Sequence, residues 1–147
     1  MITTQLYQSG KMPESETKQR IVDFLFSELE AYGDPKKDIE KAVDYALNDK
    51  SGGFILTASD EQQRLTGVTV VNSTGMQGYI PENILVYIAT HRNCRGQGIG
   101  RRLMEEALHR AEGDVALHVE PDNPAKKLYA SLGFTNKYLE MRFKKKG

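Results

Sequence analysis

Between Arg92 and Met104 the chain reads RNCRGQGIGRRLM. Gly96, Gly98 and Gly100 alternate with Gln97 and Ile99, and Arg95, Arg101 and Arg102 stand on either side. Backbone N–H groups at a helix start have no internal partner and carry partial positive charge. A pyrophosphate can accept several of them at once. Glycine lets the backbone approach closely and adopt positive φ, and the arginines add longer-range attraction. This composition is suited to binding a phosphate-bearing ligand. Two common phosphate motifs do not fit. A Walker loop needs Gly-x-x-x-x-Gly-Lys-Ser/Thr, and no lysine follows these glycines. A dinucleotide fingerprint needs Gly-x-Gly-x-x-Gly, and the spacing here is one residue short. Cys94, at the edge of the turn, reads as an ordinary half-buried small residue. Nothing in the sequence requires His91 or His118 to reach it as a nucleophile's partner.

The elements that must position this turn follow from periodicity. Residues 2–8 are a strand candidate. Ile21, Val22, Leu25, Phe26 and Leu29 recur at helical spacing, and GDP at 33–35 ends that helix. Asp34 is expected to cap a second helix with Pro35 at its first position. Ile39, Ala42, Val43, Ala46 and Leu47 form its apolar stripe. FILTAS and RLTGVTVV read as two strands joined by DEQQ. YIPENILVYIAT reads as a longer strand buried on both faces. After the turn, Ile99, Leu103, Met104, Ala107, Leu108 and Ala111 mark another helix, stopped by Gly113. VALHV is a short strand. PDNPAKKLYASLGF is a short helix ending at Gly133, and TNKYLEMRFKK a closing strand. The predicted order is β-α-α-β-β-β-α-β-α-β: one mixed α/β (α+β) domain over residues 1–147.

The segment Arg95-Gly96-Gln97-Gly98-Ile99-Gly100 resembles the Arg/Gln-x-x-Gly-x-Gly/Ala turn of the GNAT superfamily of acyl-CoA-dependent N-acetyltransferases. ILVYIAT takes the place of that superfamily's fourth strand, and GRRLMEEALHRA follows as its helix. NPAKKLYASLGF is similar to the second signature, Asn-x-x-Ala-x-x-Leu-Tyr-x-x-Leu-Gly-Phe. The resemblance spans nearly the whole chain and implies a GNAT-like fold with a splayed central strand pair. It implies transfer of the acetyl group of acetyl-CoA to a primary amine, by direct attack through a tetrahedral intermediate. Acetyl-CoA would be a co-substrate, with no metal.

Residue roles carry over from the resemblance. Free backbone groups along Ile88, Ala89 and Thr90 would bind the pantetheine arm and the acetyl oxygen, and Arg95 to Arg101 the phosphates. Tyr129 matches the tyrosine that protonates the departing thiolate. A phenol keeps its proton at neutral pH yet can give it to a sulfur anion. The attacking amine arrives protonated, with a pKa of about 10.4 for a lysine-like group, so a base or a water chain must take its proton. Glu82 at the start of the fourth strand, His118 and Glu120 on the fifth, and Tyr87 are the candidates; an unperturbed histidine, at about 6.5, suits the task. One departure stands out. The family asparagine lies seven residues before the tyrosine, and that place is Asp122 here, with Asn123 one residue later. Either residue can take the role.

Composition bounds the rest. The 147 residues are 39% apolar and 27% charged with formal net charge zero, the balance of an ordinary globular domain. No apolar run approaches the ~20 residues of a membrane span. No signal peptide is read at the N-terminus, so a cytoplasmic location is expected. One cysteine excludes a disulfide framework. Residues 14–49 hold ten acids and five Lys/Arg, whereas 91–147 hold twelve Lys/Arg and seven acids. This polarity reads either as solvated helix faces or as a basic side for an anionic cofactor and an acidic side for a cationic acceptor. The charges are too mixed for nucleic-acid binding. In the superfamily, the first two helices and the loop between the third and fourth strands shape the acceptor pocket. Here Asp23, Glu28, Glu30, Asp34, Asp38, Glu40 and Asp44 would rim it, pointing to a small cationic acceptor. A protein or peptide amine, a longer acyl donor, and an acyl-CoA-binding sensor without turnover are the alternatives. Tyr138, Leu139, Met141 and Phe143 on the last strand have two open roles, pairing across a homodimer or covering the core.

Overall fold

In the computed structural model, which describes residues 1–146, the chain resolves into two compact units, Met1–Leu117 and a second beginning at His118. The first unit contains a five-stranded sheet in sequential order: β1 (Thr3–Tyr7), β2 (Gly53–Ser59), β3 (Leu65–Ser73), β4 (Asn83–Thr90) and β5 (Val115–Ala116). β1 to β4 pair antiparallel and β5 joins β4 in parallel. Helices α1 (Ser15–Leu29), α2 (Lys36–Leu47) and α3 (Ile99–Arg110) complete it. The second unit holds the short helix α4 (Lys126–Ser131).

Each apolar stripe finds a sheet face. Ile21, Val22 and Leu25 of α1 and Ile39, Val43 and Ala46 of α2 form one core with Ile55, Val68, Val70, Tyr87 and Ala89. The opposite face receives α3, whose Ile99, Leu103, Met104 and Ala107 are buried. α3 lies so close to β3 that a Cβ at Gly67 would meet Leu103 Cδ1 at 2.7 Å and Ile99 Cγ2 at 3.0 Å. Phe26, expected inside with the α1 stripe, is 50% exposed, and the Lys36 ammonium sits 5.2 Å from its ring centroid.

Register across β3 and β4 bears most on function. Val70 pairs with Tyr87 and Val71 with Leu85, so Val86 is an extra residue in β4. Adjacent residues of β3 point to opposite faces, so their partners Leu85 and Tyr87 do as well. The bulge turns Tyr87 and Ala89 toward α1 and α2. β4 is therefore not an apolar strand buried evenly on both sides; buried and half-buried residues alternate along it. Its ladder with β5 ends at Ile84 and Ala116, although β4 runs on to Thr90. The two strands part company after Ile84, just before the bulge, in keeping with the splayed pair expected of the fold.

Several boundaries differ from expectation. α2 starts at Lys36, after an extended Pro35 whose carbonyl accepts the Asp38 and Ile39 N–H groups. Asp34 does not cap it, because its carboxylate binds Tyr87 instead. β4 begins at Asn83 rather than Tyr79: Pro81 has no N–H to give a ladder, and Glu82 is held by loop backbone. β5 has two residues where five were expected. The closing strand over 135–145 is not formed among the described residues: no ladder partner pairs with it, and without one a strand's backbone groups gain no sheet bonds.

Candidate active site

The glycine turn is built as its composition requires. A short 3-10 turn over Arg92–Cys94 leaves β4. Gly96 (φ 82°) and Gly98 (φ 79°) then take left-handed backbone, and a Cβ at either would meet nothing within 4 Å. The glycines are thus needed for conformation, and the space beside them is open. Gly98 starts α3 with no side-chain cap, and the first helical bond runs from Arg102 N–H to the Gly98 carbonyl. The N–H groups of Ile99 and Gly100 precede that bond, so no helical carbonyl accepts them. This is a donor set that suits a pyrophosphate, and the residues present fit the phosphates of acetyl-CoA.

The arginines are less free than the sequence suggests. Arg102 donates to the Ile2 carbonyl at 3.0 Å. Arg95 donates to the Glu28 carbonyl at 3.2 Å, and its guanidinium lies 3.9 Å from Glu30. Arg92 gives its N–H to Glu28 Oε1 at 2.9 Å and a guanidinium N–H to the Ser27 carbonyl at 3.3 Å. Glu28 is buried, at 7% exposure. Its signal in the sequence was a charged residue three positions after Leu25, on the apolar face of α1. His91 is not placed as a base: its Nδ1 accepts the Asn93 N–H at 3.1 Å, and its Nε2 faces Glu28 Oε2 at 4.0 Å.

Ile88, Ala89 and Thr90 lie on β4 past the end of its ladder with β5, leading directly into the turn. Glu82 is occupied. It accepts the Asp114 N–H at 2.7 Å and the Gly78 N–H at 3.1 Å, which ties the β3–β4 loop to the approach to β5. The backbone donors at Asp114, at Glu82 itself and at Gly78 hold its carboxyl below the ordinary carboxylate range. Tyr87 donates to Asp34 Oδ2 at 2.5 Å, and burial followed by that bond raises its pKa far above the usual phenol range.

The acidic rim is largely paired with the chain's own groups, although only Glu28 is buried. Asp23 pairs with Lys36 at 2.8 Å and Asp44 with Lys18. Glu28 and Glu30 face Arg92 and Arg95, and Asp34 holds Tyr87. Beside α2 lies a cleft of about 250 Å³, bounded by Tyr45, by Asn72 and Ser73 at the end of β3, by Thr74 and Met76 of the loop, and by Ile84 and Val86 of β4. No charged side chain lines it. Tyr45 closes one side by donating to the Ser73 carbonyl at 2.7 Å.

In the second unit, Tyr129 is buried with Phe134 edge-on, ring centroids 6.1 Å apart. Burial raises its pKa. Asp122 and Asn123 both line a cleft of about 380 Å³ with Lys126 and Lys127. Asn123 Oδ1 accepts the Ala125 N–H at 2.9 Å, capping the turn before α4 rather than the helix itself. Gly133 (φ 102°) ends α4, as its position predicted. His118 and Glu120 are exposed. Among the described residues no cluster of His, Cys, Asp or Glu could hold a metal ion, and no helix is long and apolar enough to cross a membrane.

Comparison with known proteins converges on one family. The sequence model described as the acetyltransferase (GNAT) domain matches residues 51–136. No curated protein matches the chain. Among solved structures, a GNAT family acetyltransferase from Streptococcus pneumoniae superposes with a TM-score of 0.71 at 20% identity, covering 100% of both chains. A ribosomal-protein-alanine N-acetyltransferase from Brucella melitensis gives 0.66 at 17% identity, over 99% of this chain and 100% of that one. An aminoglycoside acetyltransferase from an uncultured soil metagenomic sample, solved with sisomicin, gives 0.65 at 17%, over 99% and 95%. At such identities these likenesses speak for the fold.

Proposed function

This chain belongs to the GNAT acetyltransferase family, and on that premise we propose that it moves the acetyl group of acetyl-CoA to a primary amine on a small acceptor. The observation that carries this reading is the turn itself: two left-handed glycines beside open space, leading into an α3 start without a side-chain cap. The phosphates would be held from Arg95 to Arg101, with the glycine backbone approaching them closely. Ile88, Ala89 and Thr90 would hold the pantetheine arm, because β4 has left its parallel partner there. Acetyl-CoA supplies the activated acyl carbon. Attack by the amine nitrogen forms the new C–N bond, and the C–S bond breaks. The thiolate then takes the proton of the Tyr129 hydroxyl, which burial keeps protonated until a sulfur anion forms.

The amine's proton must also leave. Glu82 is a weakened candidate because its oxygens are spent on loop backbone; His118 is exposed and carries the role in this reading, directly or through water. Asp122 or Asn123 would contact the CoA arm from the cleft they share. The uncharged cleft beside Tyr45 would take the acceptor's body. One domain over residues 1–147, working in the cytoplasm, completes the proposal.

The test is thiol release from acetyl-CoA against a panel of polyamines, amino sugars, amino acids and short peptides, with a no-acceptor control. Turnover on a small amine is the expected result. Turnover on peptides alone would move the acceptor to a protein terminus. Tight acetyl-CoA binding with silence across the panel would favour a sensor.

A further inference from the structure

Glu28 is a carboxylate on the buried face of α1, its side chain 6% exposed. Burying such a group is costly unless donors surround it. Here its principal donors come from the few residues that carry β4 into the glycine turn. Oε1 accepts the Arg92 N–H at 2.9 Å, with Arg92 Nε at 3.5 Å. Oε2 lies 4.0 Å from His91 Nε2. The main-chain oxygen of Glu28 accepts from the Arg95 guanidinium at 3.2 Å. Two residues on, Glu30 Oε1 lies 3.7 Å from Arg92 and 3.9 Å from Arg95. Glu30 takes φ 53°, a left-handed value unusual for a residue with a side chain. On the other flank, the Thr66 carbonyl accepts the His91 N–H at 2.9 Å. The last residues before Gly96 are thus held between α1 and β3.

We infer that Glu28 is the positioning residue of the phosphate-binding turn. It fixes where β4 ends and the turn begins through the Arg92 N–H, and so sets phosphate affinity without touching phosphate. Glu28 lies outside residues 51–136 that carry the family match, in the helical part of the chain expected to face the acceptor. Its side-chain oxygens point to Arg92 and His91, so it takes no part in the reaction by contact. The inference rests on the reading that the turn binds the phosphates of acetyl-CoA.

The experiment compares acetyl-CoA with S-acetylpantetheine, which keeps the thioester and pantetheine arm but lacks the nucleotide phosphates. Affinities are measured on the wild type, Glu28→Leu, Glu28→Gln and Val43→Ala. Glu28→Leu should weaken acetyl-CoA by about tenfold or more, the scale seen when an outer partner that orients a binding group is lost, while leaving S-acetylpantetheine within about twofold. Glu28→Gln keeps an oxygen for the Arg92 N–H and should recover most of the affinity. Val43→Ala, a core truncation, should lower Tm and leave both affinities alone. If Glu28→Leu does not fold, Glu28→Asp replaces it: the shorter side chain should lose protection of the Arg92 amide from hydrogen exchange and acetyl-CoA affinity together. Equal weakening of both donors, or unchanged acetyl-CoA affinity once that protection is gone, overturns the inference. A wild type that binds acetyl-CoA no better than S-acetylpantetheine would overturn the phosphate reading, and the inference with it. Slow exchange of the Arg92 amide would show in that case that the clamp exists without that purpose.

Discussion

The Tyr87 hydroxyl donates to Asp34 Oδ2 at 2.5 Å, joining the β4 bulge to the connection between α1 and α2 across 53 residues of sequence. The contact depends on the bulge, because only the extra residue Val86 turns Tyr87 onto the face where α1 and α2 pack. A buried phenol requires a partner, and a carboxylate supplies it here.

Tyr87→Phe should therefore lower stability by about 1–3 kcal/mol, the range for a hydrogen bond to a charged group and for unmet buried polarity. The pH dependence has a definite sign. The folded pKa is raised above the ordinary 10.0, so the contribution is complete below about pH 10 and lost as pH rises beyond it. Wild-type Tm should fall more steeply than that of Tyr87→Phe between pH 9 and about 11. Parallel curves would show that Tyr87 does not titrate against stability.

Tyr129→Phe removes the proposed proton donor and retains the ring that meets Phe134. Turnover should fall by about 10²-fold or more, the lower bound for general acid catalysis. Acetyl-CoA affinity should stay within about twofold, as expected of a group used only in the transition state. Undiminished turnover, measured by thiol release, would remove the acid role.

Gly98→Val should abolish or strongly weaken acetyl-CoA binding. Valine at φ 79° costs at least about 1–2 kcal/mol of backbone strain, and its branches would occupy the space beside the turn. Circular dichroism should show the fold retained, while calorimetric titration shows the cofactor lost. Unchanged affinity would mean that phosphates bind elsewhere.

Glu82→Gln separates a clamp from a base. The backbone donors at Asp114, at Glu82 itself and at Gly78 hold Glu82 below its ordinary 4.5. Its contribution to stability is thus present above that value and is lost as pH falls through the lower, folded one. The variant's Tm should drop less than the wild type's on acidification from about pH 5 to 3. Its turnover at neutral pH should fall no more than about threefold, far less than loss of a general base would cause. A hundredfold loss with unchanged acid stability would return Glu82 to catalysis.

The parts readable from sequence share one property: they are local. Gly96 and Gly98 take positive φ because residues within a few positions demand it, and Gly133 ends α4 for the same reason. The stripes at Ile39, Val43, Ala46 and Leu47, and at Ile99, Leu103, Met104 and Ala107, follow a 3.6-residue period without reference to a partner. Boundaries failed where distant groups competed. Asp34 had the right chemistry to cap α2, yet Tyr87 took its carboxylate. Residues 135–145 had strand composition, but a strand forms only when another offers its edge.

From the sequence alone came the left-handed glycine turn, the order of the first nine elements, the kinship in fold and the position of the tyrosine on the second signature. Only the tertiary structure decided that β4 changes face at Val86, that Glu82 serves two loops, and that most of the acidic rim is paired with the chain's own groups. It also decided that Glu28, 64 residues from Arg92, holds the start of the turn. The reason is physical. A backbone conformation is set by neighbours within one helical or strand repeat, whereas the partner of a buried charge or hydroxyl is set by strand register and helix packing. One inserted residue in β4 is enough to exchange every partner beyond it.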